Sequence, residues 1–192
     1  MTVRGIRSIG DPVLRETARP LDPSAVGSEA TQQLIEDLID TMHHANGAGL
    51  AANQVGEPVR IAVMEVTDNP RYPYKPQLPL TVAINPVIEP LSDELLEINE
   101  GCLSVPLRGS VLRHVDIRVR YLDRDGVAHD TVEHGLTAGT WQHEVDHLDG
   151  TLFIDRVEDP TTLATWAEFE AHHREAFLER IAAFANRQKL SE

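Results

Sequence analysis

Residues 143–147 read His-Glu-Val-Asp-His, and this segment constrains the chain more than any other. It lies in a stretch from Thr137 to Leu148 that reads as a helix, with Thr137 as its N-cap. Residues four apart on a helix differ by about 40° in direction, so both imidazoles face one way. Two imidazoles on one turn can hold a divalent metal, and Glu144 projects from the same side, close enough to handle a proton on water bound there. A charged surface helix with chance histidines is the competing reading. A catalytic site of the zinc type takes three protein ligands and keeps one position open, so a third ligand is needed elsewhere. A further histidine six residues past His147 is ruled out by Phe153, although Gly150 fits that longer pattern. Glu168 or Glu170 would complete a zinc-endopeptidase set.

The single cysteine is the other ligand candidate. Cys102 sits in Glu100-Gly101-Cys102-Leu103-Ser104. A thiolate suits iron, zinc, cobalt or nickel, and coordination would keep it deprotonated. A buried structural thiol is the alternative, and a nucleophilic cysteine using His134 or His114 as base is a third. One cysteine excludes an internal disulfide and fits a reducing compartment. A third segment, Gly47 to Gln54 (GAGLAANQ), lacks both the GxGxxG and the Walker patterns. Its small residues admit a substrate backbone closely, and Gln54 carries an amide N–H that can donate to a developing oxyanion. Taken alone, it also reads as a helix stop followed by tight packing.

At 192 residues the chain is the size of one domain. Its formal charge of −14 opposes non-specific DNA or RNA binding, no apolar run is long enough to span a bilayer, and the N-terminal stretch has no secretory core. Ser28 to His44 has helical spacing and ends at Asn46-Gly47. Val59–Val66, Thr81–Ile88 and the alternating Val115, Ile117, Val119 and Tyr121 read as strands, the last turned by Asp125-Gly126 into a hairpin. Four prolines between Thr67 and Pro79 predict a surface loop. A final helix is expected to start at Asp159-Pro160 and run toward Asn186, burying Leu163, Trp166, Phe177, Ile181 and Phe184. Trp141 and Trp166 read as core, His172-His173 as a solvated pair, Gln142 as an anchor to nearby backbone, and Asp146 as either a partner orienting a ligand or a surface salt bridge. Helices at both ends of a mostly antiparallel sheet make an α+β fold.

The three segments occur in the order GAGLAANQ, EGCLS, QHEVDHL, and in this the sequence resembles the peptide deformylases, whose motifs GxGLAAxQ, EGCLS and QHExDHL it meets at every specified position. The resemblance extends from about Ile6 to Asp155 and includes the early GDPVLR. It implies a metal-dependent hydrolase that removes the formyl group from N-formyl-methionyl nascent peptides, releasing formate. Cys102, His143 and His147 would be the metal ligands. Glu144 would act as general base and then acid, and Gln54 with the Leu103 N–H would stabilise the oxyanion. Backbone groups at Ala48, Gly49 and Gly101 would hold an extended peptide, with Glu100, His143 and Leu136 near the methionine pocket. Fe²⁺ is the ion implied for the cell, with Zn²⁺, Ni²⁺ or Co²⁺ as substitutes. The expected architecture is a single catalytic domain over residues 1–192, with mostly antiparallel sheets packed around a central HExxH helix and a long C-terminal helix from about residue 160. The expected location is a bacterial cytoplasm rather than an organelle, with no membrane or direct DNA contact. Transient ribosome contact, known for the C-terminal end of some relatives, has little charge to support it: residues 160–192 carry four Lys or Arg against five Asp or Glu.

Overall fold

A computed structural model describes residues 2–67 and 74–189. The first helix, α1 (Glu29–His44), starts where Ser28 accepts from the Thr31 N–H, and it ends at Asn46, whose φ of +52° is left-handed. Ile35, Leu38 and Met42 on its inner face are fully buried against the sheet, each contributing about 1.5–3 kcal/mol by burial. That sheet has five strands: β1 (Gly49–Ala51), β2 (Ile61–Val66), β3 (Leu78–Pro90), β6 (Asp116–Leu122) and β7 (Ala128–His134). They run in the order β1-β2-β3-β6-β7, all antiparallel. The β6–β7 hairpin turns at Asp125-Gly126 as expected, with Gly126 at φ +79°.

Strand β3 is longer than its sequence suggested and begins inside the proline-rich stretch; residues 68–73 of the expected loop lie outside the described residues. Pro79 and Pro86 are accommodated because each falls where the register shifts, between Val66 and Met64 on one side and between Ile84 and Val87 on the other. A residue without an N–H costs no ladder bond at such a bulge.

A second, two-stranded sheet, β4 (Leu95–Cys102) and β5 (Val105–His114), has no counterpart in the sequence reading. Helix α2 (Gly135–Leu148) touches strands of both sheets. It buries residues on every side, including Trp141 toward the large sheet and Leu136 toward β4. Gly139 permits the approach to β4, because a Cβ there would lie 2.5 Å from Ile98 Cδ1. Thr137 is not the cap: the helix starts straight out of β7, with His134 at the N-cap position and the Gly135 N–H donated to the Val115 carbonyl.

The C-terminal helix is present but does not begin at Pro160. Asp159 caps only the short 3₁₀ turn Pro160–Thr162, after which come α3 (Trp166–His172), capped by Thr165, and α4 (Arg174–Lys189). Phe169, Phe177, Ile181 and Phe184 pack on Leu96, Ile98 and Leu136, covering the outer side of the β4–α2 contact. Among the described residues no helix is long and apolar enough to cross a membrane.

Candidate metal centre

Cys102 closes β4, and His143 and His147 lie one turn apart on α2. One donor atom from each comes within 4.8 Å of the other two. Sγ of Cys102 is 3.2 Å from His147 Nε2. His143 turns its Nδ1 away, donating to Glu100 Oε2 at 2.8 Å, so Nε2 remains for the site. Burial alone would push the Cys102 thiol up, but the two imidazoles hold it well below its ordinary value. For His143 burial acts downward, and Cys102 with Glu100 raises it well above the usual range. A soft sulfur with two imidazoles, one of them oriented by a carboxylate, is a donor set that fits a divalent transition ion. Glu168 and Glu170 are not part of it; on α3 they pair with His172 and Arg174.

The carboxylate of Glu144 is 4 % exposed, and its Oε2 has no hydrogen-bond partner among the described residues. Burial raises its pKa above the ordinary carboxylate value. It lies against β1, where a Cβ on Gly49 would come within 2.6 Å of Glu144 Cδ. Gln54, buried in the 3₁₀ turn Ala52–Val55, is fixed through its Oε1 by the Ala51 N–H. Its Nε2 donates to Ser104 Oγ at 3.0 Å and lies 3.5 Å from Cys102 Sγ. Leu103 and Ser104 form the tight turn between β4 and β5, and the Ser104 N–H points at the same sulfur, 3.3 Å away.

These groups surround a cleft that opens to solvent. Ala48, Gly49, Gln54, Glu100, Gly101, Cys102, Leu103, Leu136, His143 and Glu144 all line it; of the residues expected from the sequence only His147 lies behind the wall. The cavity runs between β1, an edge of the large sheet, and β4, which pairs on one side only. Two strand edges facing one groove can take an extended peptide between them.

Several lining residues were not foreseen. Lys75 donates to Thr140 Oγ1 at 2.9 Å. Arg108 is buried with its Cζ 4.4 Å from the ring centres of both Trp166 and Phe169, so Trp166 stacks on a cation of the cavity lining as well as packing on its neighbours. Arg108 donates to Asn99, and no carboxylate pairs with it among the described residues. Asp146 is buried rather than on a helix surface and pairs with Arg113 and Arg156. Gln142 bonds both backbone groups of His114, as an anchor should. Nothing in residue type or spacing marks Arg108 or Arg113, which look like any arginine in an alternating strand.

The sequence profile of the family described as Polypeptide deformylase matches residues 3–162. The chain belongs to that family. It is 42% identical over 160 residues to a peptide deformylase of Leptospira biflexa, covering 82% of this chain and 89% of the relative. It is 43% identical over 178 residues to peptide deformylase 2 of Ralstonia nicotianae, covering 90% and 99%. Among solved structures, the Met-Ala-Ser-bound class I type b peptide deformylase of Acinetobacter baumannii superposes with a TM-score of 0.78 at 38% identity, covering 81% of this chain and 99% of that one. As a deformylase, this chain is a hydrolase that removes the formyl group from the N-terminal methionine of new peptides. Residues from 163 onward, which include Trp166 and Phe169, lie outside the matched span.

Proposed function

We propose that Cys102, His143 and His147 hold one divalent ion, Fe²⁺ in the cell, and that Glu144, Gln54 and Leu103 carry the hydrolysis of the formyl amide beside it. The observation behind this reading is the convergence of one sulfur and two imidazole nitrogens next to a buried carboxylate whose Oε2 has no hydrogen-bond partner among the described residues. Zn²⁺, Ni²⁺ or Co²⁺ would satisfy the same donors. When bound, such an ion supplies Lewis acidity, polarising a carbonyl oxygen and lowering the pKa of water to about 7 in favourable zinc sites.

The protein groups do the rest. Glu144 Oε2 takes a proton from the attacking water, whose oxygen bonds to the formyl carbon. Negative charge then collects on the formyl oxygen, where Gln54 Nε2 and the Leu103 N–H donate to it; one such donor is worth about 10²–10³ in rate. Glu144 returns the proton to the amine nitrogen as the C–N bond breaks. The products are formate and a peptide beginning with methionine. Backbone groups of Ala48, Gly49 and Gly101 hold the peptide extended between β1 and β4. Leu136, with Glu100 and His143, borders the methionine side chain. The A. baumannii relative with Met-Ala-Ser bound supports a peptide of this kind as the ligand. We take residues 1–192 as one catalytic unit, since α3 and α4 pack on the outer face of the cavity wall, and place it in a bacterial cytoplasm in keeping with its bacterial relatives. Ribosome contact is not part of this reading, because the C-terminal segment carries no excess of basic residues.

The test is anaerobic purification followed by metal analysis and a formate-release assay on one sample. One ion per chain and formate release from formyl-Met-Ala-Ser are expected. Glu144→Ala should keep the ion and lose about 10²–10⁴ in rate. Original rates in that variant, or retained metal with peptidase activity in Cys102→Ser, would overturn the assignment.

A further inference from the structure

The donor set is split between two elements far apart in sequence, the sulfur on β4 and the imidazoles on α2. A continuous run of ion pairs spans the gap. His143 Nδ1 donates to Glu100 Oε2. Glu100 receives Arg113 Nε at 2.7 Å and Nη2 at 2.9 Å, the second on the same oxygen that His143 uses. Arg113 Nη1 continues to Asp146 Oδ2 at 2.5 Å. Asp146 in turn receives Arg156 Nε and Nη2, each at 2.5 Å. The Arg113 side chain is only 2 % exposed, whereas that of Arg156, at the end of the 3₁₀ turn Phe153–Arg156, is 47 % exposed.

The charges explain why the outer arginine matters. With His143 neutral, as a metal-bound imidazole is, Glu100, Asp146 and Arg113 leave one buried negative charge in excess, and Arg156 neutralises it. Without Arg156, Asp146 becomes a stronger competitor for the guanidinium that Arg113 shares with Glu100. Any shift of Arg113 toward Asp146 turns the Glu100 carboxylate, and that carboxylate fixes the His143 ring. Glu100 also lies two residues before Cys102 on the same strand, so one network positions both halves of the donor set.

We propose that Arg156, acting through Asp146 and Arg113, is a positioning residue that holds the β4 sulfur and the α2 imidazoles in register to receive the ion. The proposal rests on the metal-ligand role assigned to Cys102, His143 and His147. Its test uses wild type, Arg156→Met, Arg156→Lys, Asp146→Asn and the Arg156→Met/Asp146→Asn double variant, each loaded with Co²⁺ under argon. The visible ligand-field spectrum and the rate of Co²⁺ loss to a chelator are read, alongside thermal melting. Glu100, the direct partner of a proposed ligand, would cost about 10- to 100-fold if lost, and Arg156→Met, acting through it, should lose Co²⁺ about 10-fold faster, with a shifted spectrum. Arg156→Lys keeps the charge but not the two-pronged geometry and should fall between. The double variant should lose Co²⁺ no faster than Asp146→Asn alone. A wild-type rate and spectrum in Arg156→Met, even with a lowered melting temperature, would show a merely structural role and overturn the proposal, as would additive effects in the double variant. If Arg156→Met does not fold, a wild-type rate in Arg156→Lys overturns it and an accelerated one supports it. Failure of the wild type itself to take up Co²⁺ would instead mark the ligand assignment as wrong and bring the proposal down with it.

Discussion

Gly49→Ala tests how closely the Glu144 carboxylate, the proposed general base, is fitted to the strand beneath it. A Cβ at this position would lie 2.6 Å from Glu144 Cδ and 2.9 Å from Cγ, with Oε1 nearer still. Ordinary contact begins near 3.4 Å, so one methyl group must displace the carboxylate by about 1 Å. The backbone offers little relief, because Gly49 is paired in the ladder with Met64, and it is not among the positive-φ glycines, so alanine itself is sterically acceptable there. A misplacement of about 1 Å in a reacting group costs on the order of 100-fold in rate. That corresponds to about 2.7 kcal/mol of barrier. We expect kcat for formate release to fall about 100-fold with the metal content unchanged, since none of the proposed ligands is touched. Gly27→Ala, whose Cβ meets nothing within 4 Å, is the matched control and should behave as wild type. A Gly49→Ala enzyme with full metal and kcat within threefold of wild type would refute the reasoning. So would an effect confined to KM, which would mean that the methyl obstructs the peptide and leaves the carboxylate where it was.

Arg113→Met strips the shared partner from two buried carboxylates and should lower stability by about 3–5 kcal/mol in urea unfolding; a loss under 1 kcal/mol would count against the network. Burial lowers the Lys75 pKa from 10.5 to about 8, so between those values the unfolded chain binds more protons and stability rises with pH. Lys75→Met should therefore melt higher than wild type at pH 7, with the gap closing as pH approaches 10.5; parallel curves would exclude a perturbed lysine. An apolar slot discriminates by only about 1–3 kcal/mol per methylene, so formyl-norleucine peptides should be turned over nearly as well as formyl-methionine ones. A loss of several orders of magnitude would argue for a specific contact to the thioether sulfur.

Much of the chemistry was legible because it rests on residue types with few other uses. The HExxH pattern, the lone cysteine and the small-residue stretch before Gln54 each left a local signal, and the structure brings them to one cavity. Helix α1 and the β6–β7 hairpin were legible for the same reason: Ser28, Asn46 and Gly126 are punctuation that acts locally. The β4–β5 pair was missed because the pattern that would reveal it is interrupted. Glu100 and Arg113 occupy inward positions where an apolar residue is expected, and their burial is compensated by pairing with each other and with His143 and Asp146. The start of α2 was misplaced because a strand feeds it directly, with no hydroxyl cap to read. Asp159-Pro160 is a true cap, but of a single turn; the helices after it begin again at Thr165 and Arg174.

Because α2 touches both sheets and Cys102 sits on β4, the proposed ligand set is complete only when α2 is docked against the β4–β5 ribbon. Docked on the five-stranded sheet alone, α2 would present the two nitrogens without the sulfur. An ion bound there would add its binding free energy to that docking, so the loaded protein should melt higher and a chelator should lower its melting temperature.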